Sequence, residues 1–265
     1  MSRLSFRFRD SIAKAIGKAL KPLPIAWVRP AFLKRARQRA RTLSCNERLD
    51  REPPFYSQYG QDEFIWKHLL NGSRQRGIFC DIGAADGKTN SNTMFFEEEL
   101  GWAGFCVDPN PVAFEELQHA REARCFNFGI GATASDLEFL RVDGQGAQLS
   151  CFADFTSPEH LSKIELLRHS VGSHIERICV PVIPFDQFAF ENGIDRIDLL
   201  SVDAEGMEKS IVSSMNHERI SIRIIAIEAN GDPVELEYFM YELGYRLEAI
   251  VGTDHIYVNL RSEKV

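Results

Sequence analysis

Two stretches of this sequence pair carboxylates with small residues at spacings that suit a ligand better than plain packing. The first, Asp81-Ile82-Gly83-Ala84-Ala85-Asp86-Gly87, directly follows the apolar run Ile78-Phe79-Cys80. Small residues after a strand let a ligand approach the backbone, and glycine reaches turn conformations closed to other residues. The spacing is D-x-G-x-x-x-G rather than G-x-G-x-x-G. That disfavours a dinucleotide pyrophosphate cradle, and with it a nicotinamide-dependent oxidoreductase. The second stretch, Asp108-Pro109-Asn110, closes the run Phe105-Cys106-Val107. A carboxylate at the tip of the second strand of a βαβ unit can accept both hydroxyls of a ribose. The order of the two motifs points to a nucleoside-bearing cofactor without a bridging pyrophosphate, S-adenosyl-L-methionine. An ordinary glycine turn followed by an aspartate helix cap is the plainer alternative.

A further group of carboxylates lies near the end of the chain. Asp203 and Glu205 follow the run 197–202, and Glu228 with Asn230 follows the run 222–228. In a doubly wound sheet, ligands sit beyond the carboxyl ends of the strands. Three carboxylates and an amide at that edge can hold substrate hydroxyls, supply a general base or bind a hard divalent ion through oxygen. These residues do not require a metal, and none is predicted. The competing reading of Asp203 and Glu205 is capping of a helix that begins near Met207. His160, His169, His174 and His255 are further candidate bases.

The elements that must position these residues can be read from hydrophobic periodicity. Strands are expected at 78–82, 104–108, 125–130, 197–202 and 222–228, with two closing strands at 245–250 and 255–260. Helices are expected at 91–100, 112–120, 207–214 and 234–243. Strands alternating with helices of this length imply an α/β, doubly wound, mostly parallel sheet of seven strands. The two closing strands lack an intervening helix, which predicts a terminal hairpin and one antiparallel strand at the edge. Residues 142–184 interrupt the alternation, with a helical patch near 158–169, and read as an acceptor lid.

Several of these motifs occur together and in order. Ser57-Gln58-Tyr59-Gly60-Gln61-Asp62, the Asp81 loop, Ser91-Asn92-Thr93, Gly101-Trp102-Ala103-Gly104, Asp108-Pro109-Asn110-Pro111 and Asp203-Ala204-Glu205-Gly206 resemble the FkbM-type methyltransferase family over roughly residues 55–260. The resemblance implies the class I, Rossmann-like methyltransferase fold with S-adenosyl-L-methionine as methyl donor. It further implies O-methylation, commonly of sugar hydroxyls on glycans, lipopolysaccharide, glycolipids or glycosylated natural products. Carried over by position, Asp81, Gly83, Ala84 and Gly87 line the methionine and ribose side of the cofactor. Asn92 reaches the same pocket unless it or Ser91 merely caps a helix, and Asp108 takes the ribose diol where the family commonly has Glu. Asn127 passes near adenine, while Gln58 and Gln61 close over the cofactor or form a polar turn. Catalysis falls to Asp203, Glu205 and Glu228. A small-molecule natural product is the alternative acceptor, and a membrane adaptor with a degenerate cofactor fold is the non-enzymatic alternative.

Composition sets the frame for these readings. The 265 residues are 44% hydrophobic and 26% charged, which suits a folded globular chain and excludes a disordered or polytopic one. No apolar run approaches the ~18 residues of a membrane-spanning helix. The six cysteines include no C-x-x-C pair and no zinc spacing, so reduced thiols in the cytoplasm are expected. The net charge of -7 conceals a split: residues 1–52 hold 14 Lys+Arg against 4 Asp+Glu, and residues 53–265 hold 17 against 34. The expected division is therefore a basic amphipathic helical arm at 1–52 and a methyltransferase domain at 53–265. On a helical wheel, Leu4, Phe8, Ile12 and Ile16 oppose Arg3, Arg7, Lys14 and Lys18. That pattern over residues 1–41 predicts an interfacial helix on the anionic inner face of the membrane; docking on the acidic domain and an organelle transit peptide are the other readings. The acidic body would repel phosphate, so nucleic acid is not an expected partner.

Overall fold

The computed structural model describes residues 41–43, 52–230 and 233–261. Of the arm expected at 1–52, residues 1–40 and 44–51 lie outside them, while Arg41–Leu43 form strand β1. Helix α1 (Gln61–Phe64) runs into one π-helical turn, Ile65–Leu69. Then follow β2 (Ile78–Ile82), α2 (Met94–Glu98), β3 (Ala103–Val107), α3 (Pro111–Ala120) and β4 (Arg124–Phe126). The interruption contributes β5 (Gly129–Gly131), β6 (Ser135–Val142), β7 (Cys151–Phe152), α4 (Pro158–Val171) and β8 (Ile175–Pro184). The alternation resumes with α5 (Phe185–Asn192), β9 (Arg196–Val202), α6 (Glu208–Ser213), β10 (Ser221–Glu228) and α7 (Pro233–Glu242), and closes with β11 (Tyr245–Val251) and β12 (Asp254–Asn259).

The main sheet has eight strands in the order β1-β11-β12-β10-β9-β2-β3-β4. All pairings are parallel except those of β12 with β10 and β11. Side chains alternate between two apolar layers: Ile225 and Ile227 of β10 face Phe185, Phe188 and Met240, while Ile224 and Ala226 join Phe64, Phe95 and Leu117. Burial on both faces explains why these strands read as unbroken apolar runs. The chain winds outward from β2 to β4 on one side and from β9 to β10 on the other. The carboxyl ends of β2 and β9 therefore flank the topological switch point, where ligands bind in such sheets.

Four sequence expectations are corrected. The antiparallel strand is not at the edge: β12 inserts between β10 and β11, because Asp254, His255, Ile256 and Tyr257 are all buried and need neighbours on both sides. The sheet gains an eighth strand from β1, which pairs with Ala249–Val251. The expected strand at 125–130 divides between two sheets, since Asn127 turns back to donate from Nδ2 to the Asp108 carbonyl at 2.9 Å. The helix expected at 91–100 begins only at Met94, because the Ser91 hydroxyl accepts the amides of Thr93 and Met94 and holds 91–93 as a turn.

The region expected as a lid is largely ordered structure. Strands β5-β8-β6-β7 make a second, four-stranded sheet, and α4 packs on it through Ile164 beside Leu140, Val142 and Cys151. Ser157 caps α4 by accepting the His160 amide at 3.1 Å, and Gly172 ends it at φ 70. Among the described residues, no helix is long and apolar enough to cross a membrane.

Candidate functional site

A cavity of about 310 Å³ opens at the switch point and is walled by the second sheet and α4. Its floor is the contact between the β2 and β9 ends. The Asp203 amide donates to the Ile82 carbonyl at 3.0 Å, and the Gly83 amide to that of Val107 at 2.9 Å. Gly83 has φ 85, and a Cβ there would lie 1.7 Å from the Asp203 carbonyl oxygen, so only glycine fits. Gly83 and Asp203, 120 positions apart in the sequence, thus meet backbone to backbone.

On the β2–β3 side, Asp81, Gly83, Ala84 and Asp108 line the cavity. Asp108 accepts the amides of Ala85 and Asn110, each at 2.8 Å, one on each oxygen. One lone-pair site per oxygen remains for a ribose diol. Burial pushes the Asp108 carboxyl up to about 6. Asp81 accepts the Thr93 hydroxyl at 2.6 Å; burial raises its carboxyl, and Arg121 opposes that shift.

Gly87 and Asn127 do not line the cavity. A Cβ on Gly87 would meet Leu117 at 2.6 Å and Arg121 at 2.8 Å, so this glycine admits packing behind the loop. Asn127 is tied beneath the Asp108 carbonyl, and its neighbours Phe128, Gly129 and Ile130 line the wall instead.

Asn92 lines the cavity and donates to Asp254 at 3.0 Å and to the Ser201 hydroxyl at 3.3 Å. Its Oδ1 is buried without a hydrogen-bond partner among the described residues. An orphaned acceptor in an acid-rich cavity fits a cationic ligand such as the ammonium of a methionine moiety. Gln58 and Gln61 also line the opening. Gln61 accepts the Tyr59 amide at 3.0 Å and bonds Asp254, which burial raises to about 6.

Sequence reasoning missed Arg121, because an arginine at the end of an amphipathic helix reads as surface. Its guanidinium is buried behind the Asp81 loop, paired with Glu97 and 5.0 Å over the Phe79 ring. It donates to the Gly87 carbonyl and the Thr93 hydroxyl, each at 3.0 Å, and lies 3.9 Å from Asp81. It therefore ties both ends of the loop to α2.

The β9–β10 side carries the other carboxylates. Asp203, Glu205, Glu228 and Asn230 all line the cavity. Neither Asp203 nor Glu205 caps α6. The N-terminus of α6 takes no side-chain cap; its first residue, Glu208, instead accepts the loop amides of Ala204 at 3.1 Å and Gly206 at 2.9 Å. Asp203 is exposed along the cavity wall; desolvation there and the neighbouring Glu228, Glu205 and Asp254 push its carboxyl well above the usual range. Desolvation, with Glu228 and Glu208, pushes Glu205 to about 8. Glu205 holds φ 47, an uncommon value for a non-glycine residue. Gly206 follows at φ 112, where a Cβ would lie 2.4 Å from the Phe155 carbonyl, so the loop is wedged against the turn between β7 and α4. Oxygens of Asp203, Glu208 and Glu228 come within 4.8 Å of one another. Glu208 is already committed to loop amides and to Asn230 at 3.2 Å, which leaves Asp203 and Glu228 to face the cavity.

Comparison with solved structures returns distant likenesses. Methyltransferase FkbM from Methylobacillus flagellatus KT matches at 13% identity and a TM-score of 0.43, over 75% of this chain. This chain spans 47% of that protein, about half its length. A TehB-like SAM-dependent methyltransferase from Corynebacterium glutamicum matches at 11% identity and TM-score 0.39, over 77% of this chain and 89% of its own. An O-methyltransferase from Bacillus cereus in complex with SAH matches at 9% identity and TM-score 0.36, over 93% and 96%. No curated protein matches. Residues 81–247, however, match the methyltransferase FkbM domain from the Asp81 motif to the penultimate strand. The chain belongs to the FkbM methyltransferase domain family.

Proposed function

We propose that the domain is an S-adenosyl-L-methionine-dependent O-methyltransferase whose acceptor is a sugar hydroxyl of a glycan, lipopolysaccharide or glycolipid. The observation that carries this reading is the facing of two polar walls across one cavity: Asp81, Asp108 and Asn92 on one side, Asp203, Glu205 and Glu228 on the other. When bound, S-adenosyl-L-methionine supplies a methyl group on a sulfonium, and its transfer to a hydroxyl leaves a neutral thioether and frees the hydroxyl proton. Asp108 would hold the ribose, with the Gly83-Ala84 backbone beneath it, and Asn92 with Asp254 would hold the ammonium. Asp203, Glu228 and Asn230 present acceptors and a donor at spacings that suit a polyhydroxylated ligand. Glu205 is the base: its carboxyl, raised to about 8, can exchange protons with the acceptor hydroxyl once its own proton has a place to go. Holding the acceptor in line supplies much of the acceleration.

The reading is tested by calorimetry with S-adenosyl-L-methionine and NAD, followed by transfer of labelled methyl to fractionated host glycans and lipids with products identified by mass spectrometry. Absent methyl-donor binding, or methylation on nitrogen or carbon only, would overturn it.

Cofactor affinity should depend on pH with a defined sign. Burial raises Asp108 and Asp254 to about 6. A cationic ligand favours their ionised forms, so its binding weakens as pH falls through that value and both carboxyls take up protons. Affinity should drop roughly tenfold from about pH 7.5 to about pH 5.5 by calorimetry. Unchanged affinity would remove these two carboxylates from the binding site.

The basic segment 1–41 is proposed to meet an anionic membrane and bring the cavity to a lipid-linked acceptor on the cytoplasmic face. In flotation with vesicles containing phosphatidylserine, the full chain should rise with lipid and a chain beginning at Pro53 should not. Equal behaviour of the two would refute it.

A further inference from the structure

His160 stands on α4, in the second sheet's layer, yet its imidazole reaches the active-site loop. Only 8% of the residue is exposed. Its Nε2 lies 2.9 Å from the Leu149 carbonyl oxygen and its Nδ1 lies 3.2 Å from Oε2 of Glu205. A carbonyl oxygen only accepts, so Nε2 carries a hydrogen and the tautomer is fixed. Nδ1 of a neutral imidazole is then a lone pair facing a carboxyl oxygen. That contact is attractive only if one proton lies between the two groups, on Oε2 or on Nδ1.

We propose that His160 acts through Glu205 as its positioning and proton-relay partner: Oε1 of Glu205 takes the proton released by the acceptor hydroxyl while Oε2 passes its own proton to Nδ1 of His160. The inference rests on the O-methyltransferase reading above. The proton count balances. The acceptor O–H bond breaks as its oxygen gains the methyl group, one O–H bond forms at Oε1, the O–H bond at Oε2 breaks, and one N–H bond forms at Nδ1. Glu205 ends protonated as it began, and the imidazolium keeps its second hydrogen on the Leu149 carbonyl. The relay removes a difficulty in using Glu205 alone. A carboxyl that titrates near 8 is mostly protonated at neutral pH and cannot accept a proton unless it gives one up.

Charged groups approach Glu205 from several elements. Facing Glu205 are Asp203 and Glu208 from its own segment, Glu228 from β10, Lys163 from α4 and Cys151 from β7. Carboxyl groups outnumber the single lysine in that set. The wedged backbone at Glu205 and Gly206 and the Ser157 cap at the α4 start hold both partners from opposite sides.

Two measurements on the full chain test the relay. With ¹⁵N-labelled histidine, wild-type His160 should show a protonated Nε2 and an Nδ1 resonance between the imine and amine positions at neutral pH, moving to a plain imine position in Glu205→Gln. An Nδ1 resonance that Glu205→Gln leaves in place, or an unprotonated Nε2, overturns the proposal. The second measurement is a pH–rate profile, using labelled methyl donor and the glycan fraction that wild type methylates. Wild-type kcat should be nearly flat from about pH 6.5 to about pH 8, while His160→Gln should start roughly 30-fold lower and climb about tenfold per pH unit until Glu205 ionises by itself. Parallel profiles for the two proteins also overturn it. Failure of the wild-type chain to bind the methyl donor would instead count against the methyltransferase reading and leave the histidine spectra interpretable.

Discussion

Replacing Arg121 by methionine should lower the unfolding free energy of the domain by about 3–5 kcal/mol, the usual consequence of removing one partner from a buried ion pair. The guanidinium is fully enclosed, and both carboxylates near it, Glu97 and Asp81, are nearly so. Methionine matches the length of the side chain but supplies none of its donors. Glu97 would keep only the Ala123 amide, Asp81 would lose the charge that opposes its raised carboxyl, and the Gly87 carbonyl would lose a donor. Arg121→Lys should recover only part of the loss, since a single ammonium cannot reach Glu97, Gly87 and Thr93 at once as the planar fork does. Urea unfolding followed by far-UV circular dichroism measures both variants. A loss under about 1 kcal/mol in Arg121→Met would show that Glu97 and Asp81 find other partners.

The second large effect is expected at Glu205. Glu205→Gln keeps the shape and a polar end but can no longer take up a proton, so turnover should fall by about 10²- to 10⁴-fold, the range for loss of a general base. Affinity for the methyl donor should stay within a few-fold, because Glu205 stands on the β9 wall and the donor contacts are assigned to Asp108 and Asn92. Kinetics at saturating donor, alongside calorimetry, separate the two. A matched loss of donor affinity and turnover would show that Glu205 acts on the cofactor instead.

The order of elements was legible because buried parallel strands are short unbroken apolar runs between turn residues, as at 78–82 and 197–202. The strand insertion of β12 was not, since nothing in Asp254-His255-Ile256-Tyr257 says how many neighbours a strand has. The loops that build the floor were readable: Gly83, Asp108 and Asp203 stand at strand ends, where local spacing alone gives their place. Arg121 was hidden, because its task depends on Glu97 and Asp81, 24 and 40 positions earlier, and no local pattern records that meeting. Glu208 was hidden by the reverse error. The sequence shows several acids before a helix, and only the backbone geometry reveals that Glu208 takes the amides and frees Asp203 and Glu205 to face the cavity. The pairing of His160 with Glu205 crosses between the two sheets and was equally out of reach, although His160 was already a candidate base.

The second sheet has a consequence for how such enzymes diversify. Phe139, Phe152, Val180 and Val182 anchor it to the main core, while Leu140, Val142, Cys151 and Ile164 give it an apolar nucleus of its own. The cavity wall drawn from it, including Gln148, Ser150 and Lys163, can therefore drift without touching the Asp81 and Asp108 loops. On the proposed function, donor recognition and acceptor choice would then occupy separately supported modules. A graft that exchanges residues 135–184 between two members of the family, keeping the anchoring phenylalanines and valines, should carry acceptor preference with it and leave the donor site in place.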